Sequence, residues 1–230
     1  MNKTYYFMSG LPRSGVTLLK TILDQNPRIY AGPASPVMEL MYWIEDHFKN
    51  SEAYRAYPKP EISFNMIKSV IDQYYSDIDK PIIMDHCRSW VNNIERIKTY
   101  ITPNPKIICT VRNVLDILTS FIDMIHRNHD QLSFIDHDLI KKGISVNDNT
   151  RCDYLMSDEG IVGQALWAQK QSFIRNDTKY MLLIDYEDLV HEKEKSLKKI
   201  YDFLEIEYYE HDFNNIQNNR RERDMETWNI

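Results

Sequence analysis

Cysteine and glycine are both scarce in this 230-residue chain, at three and six residues. The cysteines, Cys87, Cys109 and Cys152, are odd in number and show no CxxC spacing, which excludes a disulfide framework and the common zinc sites. They read as reduced thiols in a reducing compartment, the cytoplasm. No apolar run approaches the roughly 20 residues of a membrane helix, so no membrane span is expected. The chain starts directly in a strand-like pattern, with no long apolar segment and no small-residue cleavage site, so no signal peptide is expected either. The sequons at Asn2 and Asn176 then carry no weight. Positive charge is not in excess: 28 Lys+Arg against 34 Asp+Glu give a net charge of −6. Without a global positive field, a dedicated nucleic-acid binder is excluded. At 43% hydrophobic and 27% charged residues the chain is neither disordered nor collagen-like. Its length suits one domain, or two small ones at most, with a core that needs no disulfide or metal staple.

Short apolar runs alternate with amphipathic stretches. Residues 5–8, 81–84, 106–111 and 180–184 are rich in β-formers, and each is followed by a polar turn and a helical pattern. That alternation predicts βαβ units: an α/β fold with a central, mostly parallel sheet flanked by helices. Apolar residues at helical spacing run from Val16 to Leu23 and from Val114 to Ile125. Further helices are predicted over 37–49, 64–75, 90–100, 160–174 and 191–204, with a break at Thr102-Pro103-Asn104-Pro105. Residues 128–159 are polar and weakly periodic. So long an irregular segment reads either as a surface insertion with a short helix or as a lid or acceptor-binding insertion.

Gly10-Leu11-Pro12-Arg13-Ser14-Gly15-Val16-Thr17 follows the first strand and opens a helix. Gly10 and Gly15 allow a tight turn and close approach to a ligand. The free N–H groups of the first helical turn, backed by the helix dipole, would point at an anion. Arg13 adds positive charge, and Ser14 and Thr17 add hydroxyls. The GxxxxG spacing and the following Thr match a nucleotide-binding P-loop, but Val16 stands where its Lys belongs. That substitution weighs against an ordinary ATPase or kinase.

A second element begins with the strand-like run 106–111, which ends in Arg112-Asn113. An Arg at a strand's carboxyl end lies on the ligand side of an open α/β sheet. Ser120 follows Arg112 by eight residues, about two helical turns, and so faces the same side. A guanidinium and a hydroxyl suit a second phosphate.

Together the two elements resemble the sulfotransferase superfamily that uses 3′-phosphoadenosine 5′-phosphosulfate. In that family a loop of the form P-[KR]-S-G-[TV]-T binds the 5′-phosphosulfate, and a strand-end Arg with a Ser eight residues on binds the 3′-phosphate. Pro12 to Thr17 resemble the first motif, and Arg112 with Ser120 the second. Leu183-Ile184-Asp185-Tyr186-Glu187-Asp188-Leu189 resembles the family's late strand and Y-E-D-L element, which implies a place for Tyr186 in the adenosine pocket. The similarity runs from about residue 5 to 205, so residues 1–230 are expected to form a single sulfotransferase-like domain. The Pro-Arg loop looks closer to the tyrosylprotein, carbohydrate and bacterial branches than to the cytosolic one. The resemblance implies Arg13, Ser14, Gly15, Val16, Thr17, Arg112, Ser120 and Tyr186 as donor-binding residues. It also implies the bisphosphate nucleotide as product, no metal, and a small-molecule, carbohydrate or peptide acceptor.

Transfer also needs charge stabilisation, for which Arg13 is the candidate, and a base for the acceptor proton. Met84-Asp85-His86-Cys87-Arg88 ends the second apolar run, where active-site residues of an open sheet gather. His86 is the first candidate for the base, because histidine titrates near neutrality and the cytosolic branch places a His after the corresponding strand. Many bacterial relatives read D-K-x-R-x-W here, in which case His86 would replace a Lys and stabilise charge. Asp85 is the second candidate, and Arg88 could bind the sulfuryl group or an acidic acceptor. The tyrosylprotein branch carries its base in a G-E-E-T segment. Here Gly32-Pro33-Ala34-Ser35 holds no carboxylate, and Glu39 follows out of register. The cytosolic branch's adenine-stacking Trp is replaced by Leu18, and its late R-K-G clamp has no clean match. The nearest basic cluster, residues 220–223, reads as a solvated charge run, and Trp228 near the end either docks into the fold or marks a truncation.

His126, His129 and His137 fit no common metal spacing. The alternatives to sulfotransfer are a magnesium-dependent nucleotide kinase or phosphotransferase, and a non-catalytic nucleotide-binding module.

Overall fold

The computed structural model describes residues 3–128 and 131–218. His129, the Asn2 sequon, the basic run at 220–223 and Trp228 lie outside the described residues. Five strands, β1 (Thr4–Gly10), β2 (Ile29–Tyr30), β3 (Ile82–His86), β4 (Ile107–Val111) and β5 (Met181–Asp185), form one sheet in the order β2-β3-β1-β4-β5. Every pairing is parallel. Four of the strands were expected from their apolar runs. The fifth, β2, is two residues long and too short for periodicity to mark.

Both faces of the sheet are covered, which is why its strands read as continuous apolar runs rather than alternating ones. Neighbouring residues on a strand enter different cores: Phe7, Ile83 and Ile107 one, Met8, Met84 and Ile108 the other. The first core lies under α2 (Val37–Asn50), α4 (Pro60–Tyr74) and α5 (Ile94–Tyr100), with the five-residue α3 (Glu52–Ala56) outside it. The second lies under α1 (Val16–Leu23) and α11 (Lys193–Leu204), with α10 (Tyr186–His191) between β5 and α11. The helix expected over 191–204 is α11, starting two residues later, and α10 is a separate short helix before it.

The stretch 90–100 differs from its prediction as a single helix. Arg88–Asn92 is a 3₁₀ turn and α5 starts only at Ile94. Trp90 is the cause: its ring is fully buried against Phe7, with centroids 4.8 Å apart, and its Nε1–H donates to Asp85 Oδ1 at 2.5 Å.

A third core joins α6 (Val114–Arg127), α7 (Phe134–Lys141), α8 (Asp148–Met156) and α9 (Ile161–Ile174) through Ile117, Phe121, Ile135, Leu139, Leu155 and Val162. The segment 128–159 therefore holds two packed helices rather than one short one. Each opens with a capping box, Ser133 with Asp136 and Asn147 with Thr150. A salt bridge ties them, Arg151 Nε to Asp136 Oδ1 at 2.8 Å.

This topology fixes where a ligand can sit. β2 and β3 lie on one side of β1, β4 and β5 on the other. The chain changes direction about β1, and ligands of open α/β sheets bind beyond the strand ends at such a switch point. Pairing aligns Met8 with His86 and Gly10 with Thr110, so the carboxyl ends of β3, β1 and β4 step outward in that order along one edge of the sheet.

Candidate active site

The loop after β1 is shaped by two glycines and by packing from beneath. A Cβ on Gly10, at φ +139°, would lie 2.4 Å from the Thr110 carbonyl oxygen. A Cβ on Gly15, at φ +90°, would lie 2.8 Å from the Tyr186 ring. Both positions thus need glycine for backbone conformation and for space. Arg13 also takes a left-handed conformation, at φ 59°, a strain that tends to collect at ligand-binding turns. The helical ladder of α1 begins with Leu19 N–H donating to Gly15 C=O at 3.0 Å. The N–H groups of Val16, Thr17 and Leu18 are left without an intrahelical acceptor and face the loop.

Ser14 differs from its expected role. It is fully buried, and its hydroxyl bonds to the Leu11 carbonyl and lies 2.6 Å from Thr110 Oγ1. It braces the loop against β4 instead of offering its hydroxyl to an anion. Thr17 remains on the cavity wall.

Arg112 and Ser120 come together as their spacing predicts, and Arg13 joins them. Arg13 Nε donates to Ser120 Oγ at 3.1 Å, and Arg112 Nη1 donates to the Arg13 carbonyl at 3.1 Å. The Arg112 guanidinium lies 4.1 Å from the Tyr186 ring centroid, a cation–π contact. Arg112 Nε is buried and has no hydrogen-bond partner among the described residues, an open donor suited to an anion.

These residues line two contiguous cavities. The larger, about 480 Å³, runs from Arg13, Gly15, Val16 and Thr17 past Arg112, Ser120 and Tyr186 to His86 and Arg88. The smaller, about 230 Å³, shares Arg13, Arg112 and Ser120 with it and adds Asp116, Asp123 and Arg127. Sequence reasoning missed Arg127. The signal was present, because Arg127 follows Ser120 by seven residues on α6, two turns along the same face. The larger cavity has three arginines and no carboxylate on its wall. A Cβ-free cradle, free helix-end N–H groups and an orphaned guanidinium nitrogen together fit a polyanionic ligand.

The two base candidates from β3 part company. His86 lines the larger cavity and also a neighbouring one of about 1150 Å³, so it stands at their boundary. Asp85 lines neither. It is fully buried beneath the sheet, accepting from Ser35 Oγ at 2.6 Å, Tyr75 Oη at 2.6 Å and Trp90 Nε1 at 2.5 Å. Burial pushes its carboxyl above the ordinary range although all three donors oppose the shift. Ser35, Tyr75 and Trp90 enclose Asp85, whereas His86 reaches the cleft. Asp85 is corrected from candidate base to structural anchor. Arg88 lines both cavities, and Glu39 lines the 1150 Å³ one despite its displaced register.

His126 pairs with Asp148 at 3.1 Å, and no cluster of three metal-binding side chains occurs among the described residues.

A doubly covered parallel sheet with a lysine-less P-loop and an arginine-rich cleft defines a P-loop-like α/β protein. Its family follows from the sequence match: residues 6–210 fit the model of the sulfotransferase family, and the chain belongs to that family. The fold is similar to that of several solved sulfotransferases. The sulfotransferase domain of the curacin biosynthetic pathway superposes with a TM-score of 0.54 at 17% identity, over 91% of this chain and 76% of the other. The sulfotransferase domain of the Synechococcus PCC 7002 olefin synthase gives 0.53 at 19%, over 90% and 75%. A sulfotransferase from Alicyclobacillus acidocaldarius gives 0.55 at 14%, over 99% and 89%. No curated protein matches the sequence. Among the described residues, no helix is long and apolar enough to cross a membrane.

Proposed function

We propose that this protein moves a sulfuryl group from 3′-phosphoadenosine 5′-phosphosulfate to a hydroxyl or amine of an acceptor held in the adjoining cavity. The observation that carries this reading is the convergence of Arg13, Arg112 and Ser120 on one carboxylate-free cavity that also meets the glycine loop. The loop N–H groups and Thr17 would hold the 5′ end of the donor. Arg112, Ser120 and the Arg13 side chain would hold the 3′-phosphate, and the Tyr186 ring would flank the adenosine. Bound there, the donor supplies an activated sulfuryl group whose leaving group is a phosphate. The loop dipoles and Thr17 would stabilise charge on that phosphate. His86, at the boundary between the cavities, would take the acceptor's proton as the new S–O or S–N bond forms. Glu39 lies on the acceptor side and is the second candidate for that step.

Residues 1–230 would work as one domain, with 128–159 forming an acceptor-side wall. Support for that wall comes from Phe134, Asp138 and Tyr154, which line the 1150 Å³ cavity. A cytoplasmic location agrees with the three free cysteines.

Calorimetric titration of 3′,5′-adenosine bisphosphate against ATP, each with and without magnesium, tests the donor assignment. Tighter, metal-independent binding of the bisphosphate is expected. Preference for magnesium–ATP would move the protein to phosphoryl transfer, and bisphosphate binding without turnover on a broad acceptor panel would leave a binding module.

A further inference from the structure

The two cavities that meet at His86 and Arg88 differ in the charged residues on their walls. The donor side has three arginines and no carboxylate. The 1150 Å³ side has four carboxylates, Glu39, Asp138, Asp158 and Glu159, against Arg88 and His86. Two of the four are already engaged. Glu159 takes Lys142 Nζ at 2.6 Å, and Asp138 accepts from Tyr154 Oη at 2.7 Å. Glu39 and Asp158 have no ion-pair partner among the described residues, yet both face the cavity.

Aromatic residues stand on the same wall. Tyr42 and Trp167 are 49% and 53% exposed. Large rings half open to solvent on the same wall as carboxylates without an ion-pair partner among the described residues suit a ligand that is cationic and carries ring or methylene faces. An anionic acceptor would be repelled there, and it would compete for the arginines that hold the donor.

We infer that the acceptor is an amine-bearing, positively charged molecule, recognised through its ammonium groups by Glu39 and Asp158 and through its apolar faces by Tyr42 and Trp167. This rests on the sulfotransfer reading for the word acceptor, but the cation preference of the cavity can be measured without the donor. The ammonium is the recognition handle, and a free hydroxyl or an uncharged amine of the same molecule would take the sulfuryl group.

The test uses kanamycin, a hydroxylated polyamine, and its fully N-acetylated derivative, which keeps the hydroxyls and loses the charge. Each is titrated calorimetrically into the full chain, with and without 3′,5′-adenosine bisphosphate. Kanamycin is expected to bind at least about tenfold more tightly than the acetylated form, in the range of close charge pairing. In the Glu39→Gln/Asp158→Asn double variant the two should bind within about threefold of each other, as expected when the paired charges are gone. Trp167→Ala should weaken kanamycin without removing the preference for charge. The Glu192→Gln/Glu194→Gln variant, altered on the distant α11 surface, controls for general attraction to an acidic protein and should keep the full preference. Equal binding of the two ligands by the wild type, or a preference unchanged in the cavity double variant, would overturn the inference. Failure of the bisphosphate to bind while the kanamycin preference holds would instead remove the donor assignment and leave a cation-binding cavity.

Discussion

The Arg112 guanidinium lies 4.1 Å from the centroid of the Tyr186 ring, and the other edge of that ring closes on the bare Cα of Gly15. One aromatic side chain from the start of α10 therefore couples the glycine loop to the end of β4. The stacked guanidinium keeps its Nη1 on the Arg13 carbonyl and its Nε open. Tyr186 thus orients the group expected to discriminate a 3′-phosphate.

Arg112→Ala should weaken 3′,5′-adenosine bisphosphate by about 1.5–3 kcal/mol, the loss of a charged hydrogen bond, while leaving adenosine 5′-monophosphate nearly unchanged. Arg112→Lys should recover only part of the loss, because an ammonium cannot repeat the planar stack and fork. Calorimetry on both nucleotides checks it. Equal weakening of the two would detach Arg112 from the 3′ position.

His86→Ala should lower sulfuryl-transfer turnover by about 10²–10⁴-fold, the usual size of a lost general base, with bisphosphate affinity retained. Donor consumption by the purified variant reads this directly. Turnover that survives the change would assign the base to Glu39, and Glu39→Gln would then show the loss instead.

Asp85 should govern folding rather than turnover. Removing it in Asp85→Ala strands the buried donors of Ser35, Tyr75 and Trp90 and should cost at least about 2 kcal/mol of stability. Its pH signature has a definite sign. Burial raises the folded carboxyl above its unfolded value, so the native state holds a proton that the unfolded state has released. Stability from this group is therefore full below the ordinary carboxylate range and declines as pH rises through the raised folded value. Urea unfolding across that range should show the decline in wild type and not in Asp85→Asn. A slope of the opposite sign would contradict the buried placement.

Asp136 should titrate the other way. Burial pushes its carboxyl up, but the Arg151 guanidinium and the Ser133 amide outweigh that and hold it below the ordinary range. Its contribution is present above the ordinary carboxylate range and is lost as pH falls through the depressed folded value. Arg151→Ala leaves a buried carboxylate without its cation and should cost about 3–5 kcal/mol. The loss should appear first as proteolytic opening of the 131–156 region, because Arg151 joins α8 to the start of α7. Uniform protection in the variant would show that the two helices hold without the pair.

The alternation of short apolar runs with helical patterns was legible along the chain, because strand period, helix period and glycine spacing are local properties. So was the placing of Arg112 and Ser120 toward one side, where both line the same cavity, since a helix fixes the direction of a residue two turns on. Other features rest on contacts between segments far apart in sequence. Asp85 and His86 are adjacent, yet Asp85 is enclosed by Ser35, Tyr75 and Trp90 while His86 lines the cleft, and sequence alone does not show which is which. Ser14 turns inward because Thr110, 96 positions away, offers it partners. Arg13 reaches Ser120 across 107 positions, which places its charge beside the second phosphate element rather than over the loop alone. The weak periodicity of 128–159 concealed two helices, because short helices draw stability from packing more than from their own pattern. The sequence by itself determined the strand–loop–helix units and the chemical types gathered at their ends. Tertiary structure decided which side chains share a cavity and which charged residues line each, because direction and burial are set only when the sheet pairs and the helices close over it.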